Sequence, residues 1–215
     1  MKKIFFTGIL SILLVSASFA QVKVGVTAGL NVSNLVQSGA DNNYKAGFQA
    51  GVVADFGISE NFSVIPELLF SQRGGKSKTN LDLAGNRVSM SESARINYLQ
   101  LPVNAAYKFN VGNGSKLFVF AGPYFGYGLS GEMKNEIKSG GAIMNTTGDI
   151  KFGSEEGEVK RFDLGINAGV GYQFNKVFFK LQYNPGLVNF SNVKNNSMKN
   201  TNIAVSAGYN FFVKN

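Results

Sequence analysis

Phe162-Asp163-Leu164-Gly165-Ile166-Asn167-Ala168-Gly169-Val170-Gly171-Tyr172-Gln173-Phe174 alternates without a break. Every even position is apolar, and the odd positions hold Asp163, Asn167, Gln173 and glycine. A helix with about 3.6 residues per turn cannot sort this pattern into two faces, whereas a strand does so at every step.

Seven further segments repeat it: Val22–Val32, Tyr44–Phe56, Phe62–Phe70, Leu99–Phe109, Leu117–Leu129, Val177–Leu187 and Ile203–Phe211. Ile65 and Leu69 blur the third of the eight strands, counted in chain order. Ile96 and Tyr98, ahead of the fourth, fall in the wrong parity, so a bulge or strand end is expected near Tyr98. Pro66, Pro102, Pro123 and Pro185 lie inside these segments. Each removes a ladder donor, which places them near strand ends or bulges, or facing an unpaired acceptor.

The connections alternate in length. Gly57–Asn61, Asn110–Ser115 and Asn175–Lys176 read as short turns. Ser33–Asn43, Gly74–Arg95, Ser130–Lys160 and Asn189–Asn200 read as long polar loops. An even strand count with short turns at one end and long loops at the other predicts an all-β, eight-stranded antiparallel up-and-down transmembrane barrel. Residues 21–215 form that domain. Residues 1–20 read as a signal peptide: Lys2 and Lys3, an apolar stretch Ile4–Val15, and small residues at Ser18 and Ala20. Export through that signal puts both termini on the periplasmic side of an outer membrane.

A secreted soluble barrel would show the same alternation with its apolar face turned inward. The other face decides between them. It is crowded with glycine, at Gly25, Gly29, Gly47, Gly51, Gly122, Gly126, Gly128, Gly165, Gly169, Gly171 and Gly208, rather than with Lys, Glu and Thr. Glycine weakens a strand unless curvature or close approach needs it, and the narrow lumen of an eight-stranded barrel supplies that need. Aromatics also gather near both ends of the strands. Phe56, Phe62, Tyr107, Phe109, Tyr172, Phe174, Phe179, Tyr209 and Phe211 lie near one end, and Tyr44, Phe70, Tyr127 and Phe162 near the other. Two aromatic girdles flank the lipid-facing band of such barrels.

Composition limits the chemistry. The chain has no Cys and no His, which removes thiolate metal sites and the commonest general base. Charged residues make up 16%, below the roughly 25% usual for soluble domains. The net charge of +8 falls by two with Lys2 and Lys3. It suits anionic lipid head groups or polysaccharide better than nucleic acid, because no helix clusters it. No catalytic, cofactor-binding or metal-binding set is expected, and no enzyme activity.

Inward parity gathers a lumenal polar network of Lys45, Gln49, Asp55, Glu67, Asn104, Lys108, Arg161, Asp163, Asn167, Lys180 and Gln182. Buried charges must be paired, so Glu67 at mid-strand is expected to meet a cation such as Lys180 or Arg161. A packed polar plug is the expected role of the network, against a gated polar path.

Pro66-Glu67-Leu68-Leu69-Phe70-Ser71-Gln72-Arg73-Gly74, Tyr98-Leu99-Gln100-Leu101-Pro102-Val103, Gly122-Pro123-Tyr124 and Phe162-Asp163-Leu164-Gly165 resemble the PorT-like, "porin family" outer-membrane barrels of Bacteroidota. The resemblance covers essentially the whole mature chain and implies fold and location. It also accounts for the prolines, which that family carries in the matching strands. The chain departs from many such barrels in ending Phe212-Val213-Lys214-Asn215 rather than on an aromatic residue. The family has no uniform activity to carry over.

The functional expectation is a non-enzymatic envelope protein with a structural role or a binding role through its outer loops. The alternatives are a narrow passive channel for small polar solutes and, by resemblance alone, an accessory subunit of an export machine. Expected partners are outer-membrane lipid and lipopolysaccharide, the barrel-assembly machinery and a protein bound by the outer loops, with no nucleic acid.

Overall fold

The computed structural model describes residues 21–37, 42–83, 86–139, 142–155, 157–189 and 198–214. The expected signal segment lies outside them. Nine strands follow in order: β1 Gln21–Gln37, β2 Asn42–Gly57, β3 Phe62–Leu83, β4 Asn86–Gly112, β5 Ser115–Ser139, β6 Ala142–Asp149, β7 Phe162–Phe174, β8 Val177–Pro185 and β9 Met198–Lys214. Every ladder between them is antiparallel. The sheet runs β4-β3-β2-β1-β9-β8-β7-β5 and returns to its start through β4–β5.

That closed ring has eight positions, because β6 and β7 share one. β4 covers one edge of β5 along nearly its whole length, from Val88↔Ser139 to Gly112↔Ser115. On the other edge β7 pairs Ser115–Tyr127 and β6 pairs Glu132–Ser139. They are two pieces of a single wall element, and residues 150–155 and 157–161 leave the wall between them. Closure satisfies the backbone without an open edge around the ring.

The side chains sort by parity. Val170 and Leu181 are each 50% exposed and Val205 59%, while Asn167 is fully buried and Gln182 only 3% exposed. Ile65, Leu69, Ile96 and Tyr98 all face inward and are buried. The irregularity expected at Tyr98 is a bulge whose extra residue lies in the partner strand. Asn97 pairs with Ser130 and Tyr98 with Gly128, leaving Leu129 over. Parity on β4 is therefore unbroken, and Tyr98 points the same way as Gln100.

Two expectations need correction, and the structure decides between the placements expected of the prolines. The long segments expected as loops are largely strand. β3 and β4 run on together to Leu83↔Asn86, β1 reaches Gln37, and β5 continues to Ser139 with β6 beside it. Of Asn189–Asn200, residues 190–197 lie outside the described residues. The prolines divide between the placements expected of them, one at a strand end and three beside unpaired ladder positions. Pro185 closes β8, but Pro66, Pro102 and Pro123 sit mid-strand. There the ladders skip two pairs, between Pro66↔Val103 and Leu69↔Gln100 and between Pro102↔Tyr124 and Ala105↔Ala121, with no change of register. A missing N–H costs the ladder a bond without requiring an extra residue. The interior is also not wholly polar, because Val53, Ile65, Ala106, Phe118, Phe120 and Phe178 form a buried apolar layer.

The aromatic part of that layer explains several glycines. Phe118 pairs across the ladder with Gly171, and Phe178 with Gly208. In each pair the phenyl ring occupies the space a Cβ on the glycine would need. The apolar layer and the absent side chains are one packing solution for a lumen too narrow to hold both.

Candidate functional site: the filled lumen

Four polar tiers lie inside the barrel. The first is near the short turns, where Lys108 on β4 is ion-paired with Asp55 on β2, both side chains buried. A cavity of about 30 Å³ next to it is lined by Val53, Asp55, Lys108, Phe118, Phe178 and Lys180. That is space for about two water molecules.

The second tier spans the lumen. Lys180 Nζ on β8 donates to both carboxylate oxygens of Glu67 on β3 at 2.6 Å, with side chains 4% and 1% exposed. In the ring β3 and β8 stand four positions apart, on opposite walls. The ammonium also lies 5.7 Å from the centroid of Phe178 and 5.9 Å from that of Phe120, where the negative faces of the rings favour it.

The third tier is a chain of carboxamides. Asn202 Nδ2 donates to Asn184 Oδ1 at 3.1 Å, Asn184 Nδ2 to Asn167 Oδ1 at 2.5 Å, and Asn167 Nδ2 to Asn104 Oδ1 at 3.0 Å. The last link crosses from β7 to β4 over the intervening β5, where Gly122 stands opposite Asn167. A Cβ at Gly122 would run into the carbonyl oxygen of Val103, and having no side chain there leaves the two asparagines free to meet.

The fourth tier lies toward the long hairpins. Arg73 Nη1 is 3.9 Å from Asp163 Oδ2, and Arg73 Nη2 donates to Gln100 Oε1 at 3.0 Å. The Arg73 guanidinium sits 4.9 Å from the centroid of Tyr124. Asp163 Oδ2 also accepts from the Tyr124 hydroxyl at 3.2 Å and from Asn200 Nδ2 at 2.9 Å, and Asn200 donates to the Tyr98 hydroxyl at 3.2 Å. One carboxylate thus gathers a cation and two neutral donors, the dense pairing a buried charge requires.

Other expected residues stand outside these tiers or at their margin. Lys45 is buried but reaches Ser93 Oγ at 2.7 Å and the Ala94 carbonyl at 3.2 Å, meeting no carboxylate among the described residues. Gln49 is buried with no protein partner for either end of its amide among the described residues, as is Asn31. Gln182 donates weakly to Asn184 at 3.4 Å. Arg161 departs from the inward expectation. It is exposed, donates to the Gly128 carbonyl at 3.2 Å and lies over the rings of Phe152 and Tyr127. The reason is local: β7 begins only at Phe162, and residues 150–155 and 157–161 turn out of the wall so that Ile150 packs on Gly131 and Phe152 on Gly128.

Sequence parity also passed over several participants. Arg73 continues the odd positions of β3 beyond Ser71, between the expected strand Phe62–Phe70 and the loop expected from Gly74. Tyr98, Asn184, Asn200 and Asn202 share inward parity with neighbours that were chosen.

Residues 19–192 match the family model described as outer membrane protein beta-barrel domain. The chain belongs to the outer-membrane protein β-barrel domain family. Among solved structures, it is similar to the attachment invasion locus protein Ail of Yersinia pestis, at 14% identity over 88% of this chain and 98% of Ail, with a TM-score of 0.42. It is similar to Neisserial surface protein A at 12% identity over 87% and 97%, TM-score 0.39. The N-terminal barrel of Pseudomonas aeruginosa OprF gives 13% identity over 86% and 97%, TM-score 0.30. No curated protein matches significantly.

In an outer-membrane barrel the outward apolar face is the lipid-facing one. Its limits are visible in the register: Phe70, Leu99, Tyr127 and Phe162 form one continuous row across β3, β4, β5 and β7. Toward the turns the face ends near Tyr107 and Phe109, whose rings meet at 4.9 Å. From Leu99 to Phe109 the strand rises about 33 Å at ~3.3 Å per residue. At the usual tilt of ~40° that spans an apolar band about 25 Å tall.

Proposed function

We propose that this outer-membrane barrel is a sealed, non-catalytic surface protein. Its lumen is a structural plug, and its interactions are made by the sheet that rises beyond the membrane on β3, β4, β5 and β6. The observation that carries this reading is the Glu67–Lys180 bar between opposite walls, backed by the aromatic layer next to it. The plug comprises the expected lumenal residues Asp55, Glu67, Asn104, Lys108, Asp163, Asn167, Lys180 and Gln182 together with Arg73 and Asn184.

The short turns and both described termini belong at the periplasmic end, with the long hairpins outside. Export by an N-terminal signal and delivery to the barrel-assembly machinery support that orientation. The four motif stretches support placing the chain with the PorT-like barrels of Bacteroidota. The raised sheet has two unlike faces fixed by register: Met90, Ile137 and Met144 share one, and Lys76, Ser93 and Lys134 the other. Such a surface suits a protein or glycolipid partner.

Labelling tests the orientation cleanly, since the chain has no cysteine of its own. Ser139→Cys in the β5–β6 hairpin should react with an impermeant maleimide on intact cells, and Asn113→Cys in the β4–β5 turn only after permeabilisation. The reverse pattern contradicts the assignment.

A further inference from the structure

The charged face of the raised sheet continues the lipid-facing side of the barrel. On β4 the outward positions Leu99 and Leu101 are followed upward by Asn97, Arg95, Ser93 and Ser91 in the same parity. The ladder to β3 is unbroken from Leu69 to Leu83. Cross-strand partners share a face, so Asn43, Lys76, Ser93 and Lys134 form one row, and Lys78, Ser91 and Glu136 the next. Just above the row of Phe70, Leu99 and Tyr127, the outward side turns polar. Gln72 Nε2 donates to Asn97 at 3.1 Å, and Asn97 Nδ2 to Ser130 at 2.9 Å. Arg95 and the lysine row come next, about 13 and 20 Å along the strand from Leu99 at ~3.3 Å per residue.

A cleft of about 610 Å³ opens among Lys76, Lys78, Ser91, Ser93, Lys134 and Glu136, within the range of about 300–1,000 Å³ common for ligand sites. Its balance is positive. Lys134 is paired with Glu132 at 3.2 Å, and Glu136 with Lys138 at 2.9 Å. Asp149 stands beside Glu132 on this face, and Glu92 edges the cleft from the opposite face by register. Lys76, Lys78 and Arg95 have no carboxylate in ion-pair contact among the described residues. The buried Lys45 beneath them feels Arg95, Lys76 and Lys134 as repelling cations, against one attracting carboxylate, Glu132.

We infer that this cleft binds the phosphorylated saccharide of an outer-leaflet glycolipid, with Lys76 and Lys78 on phosphate and Ser91 and Ser93 hydroxyls as donors. Lysine suits phosphate as a point charge. A ligand anchored in the leaflet reaches this face because the face stands directly above the lipid-exposed wall. The inference rests on the hairpins facing outward, which the cysteine labelling tests separately.

The test uses the full mature chain in nanodiscs, with three probes: lipopolysaccharide, the same glycolipid after chemical dephosphorylation, and free glucose 6-phosphate. Each lysine near an anionic surface is worth about fivefold. Lys76→Gln with Lys78→Gln should therefore weaken lipopolysaccharide binding by about 25-fold, and dephosphorylation should weaken binding to the unaltered chain similarly. Lys116→Gln, at the turn end, should leave binding unchanged. Heat-modifiable gel migration verifies that every variant is folded. Binding within twofold of the unaltered chain by the double variant, or undiminished binding of the dephosphorylated glycolipid, overturns the site. Glucose 6-phosphate binding as tightly as the glycolipid overturns the lipid-anchored source.

Discussion

Lys180 Nζ holds both carboxylate oxygens of Glu67 at 2.6 Å from the opposite wall of the barrel. Removing one partner leaves the other charged and buried, at a cost of about 3–5 kcal/mol. Glu67→Gln or Lys180→Met should each lower stability by that order in urea unfolding from lipid vesicles. The double change to Met at both positions should recover most of the loss. A double variant as unstable as the sum of the single ones contradicts the pairing.

Arg73 and Arg161 separate a buried cation from an exposed one. Arg73→Ala strands Asp163 and Gln100, and about 3 kcal/mol or more should be lost. Arg161→Ala removes exposed ring and carbonyl contacts, which are worth about 1 kcal/mol or less. Equal effects on the unfolding midpoint would contradict the different placements.

Asn184 is the middle link of the carboxamide chain, donating to Asn167 and accepting from Asn202. Asn184→Leu orphans a group on each side, at roughly 1–3 kcal/mol for each. Asn104, at the end of the chain, orphans only Asn167 Nδ2. The unfolding loss should be larger for Asn184→Leu than for Asn104→Leu, and the reverse order speaks against the chain.

The Phe178 ring lies where a side chain on Gly208 would go. Gly208→Val should cost about 1–3 kcal/mol by overpacking, and Phe178→Ala in the same chain should relieve part of it. Additive losses in the double variant would show that the two do not share the space.

Strand count and closure were legible because lipid and lumen impose different side chains on alternate positions, and Phe162–Phe174 shows that at every step. The raised sheet was not. Glu132, Lys134, Glu136 and Lys138 occupy every second position of β5, a period of two that charge made look like a solvated loop. Beyond the bilayer both faces meet water, so the contrast that marks a strand weakens. Parity gives the inward set but not its partners. It places Glu67 and Lys180 on one interior, while the position of β8 across from β3 decides that they meet. Arg161 could not be read because residues 150–155 and 157–161 leave the wall, and no local signal in that stretch marks the departure.

Single-channel recording in planar bilayers tests the sealed lumen most directly. The unaltered barrel, verified as folded by heat-modifiable migration, should show no conductance steps above the bare membrane. Replacing Glu67, Lys180, Phe120 and Phe178 together by Ala should open a small ohmic conductance. A steady conductance through the unaltered protein would contradict the account.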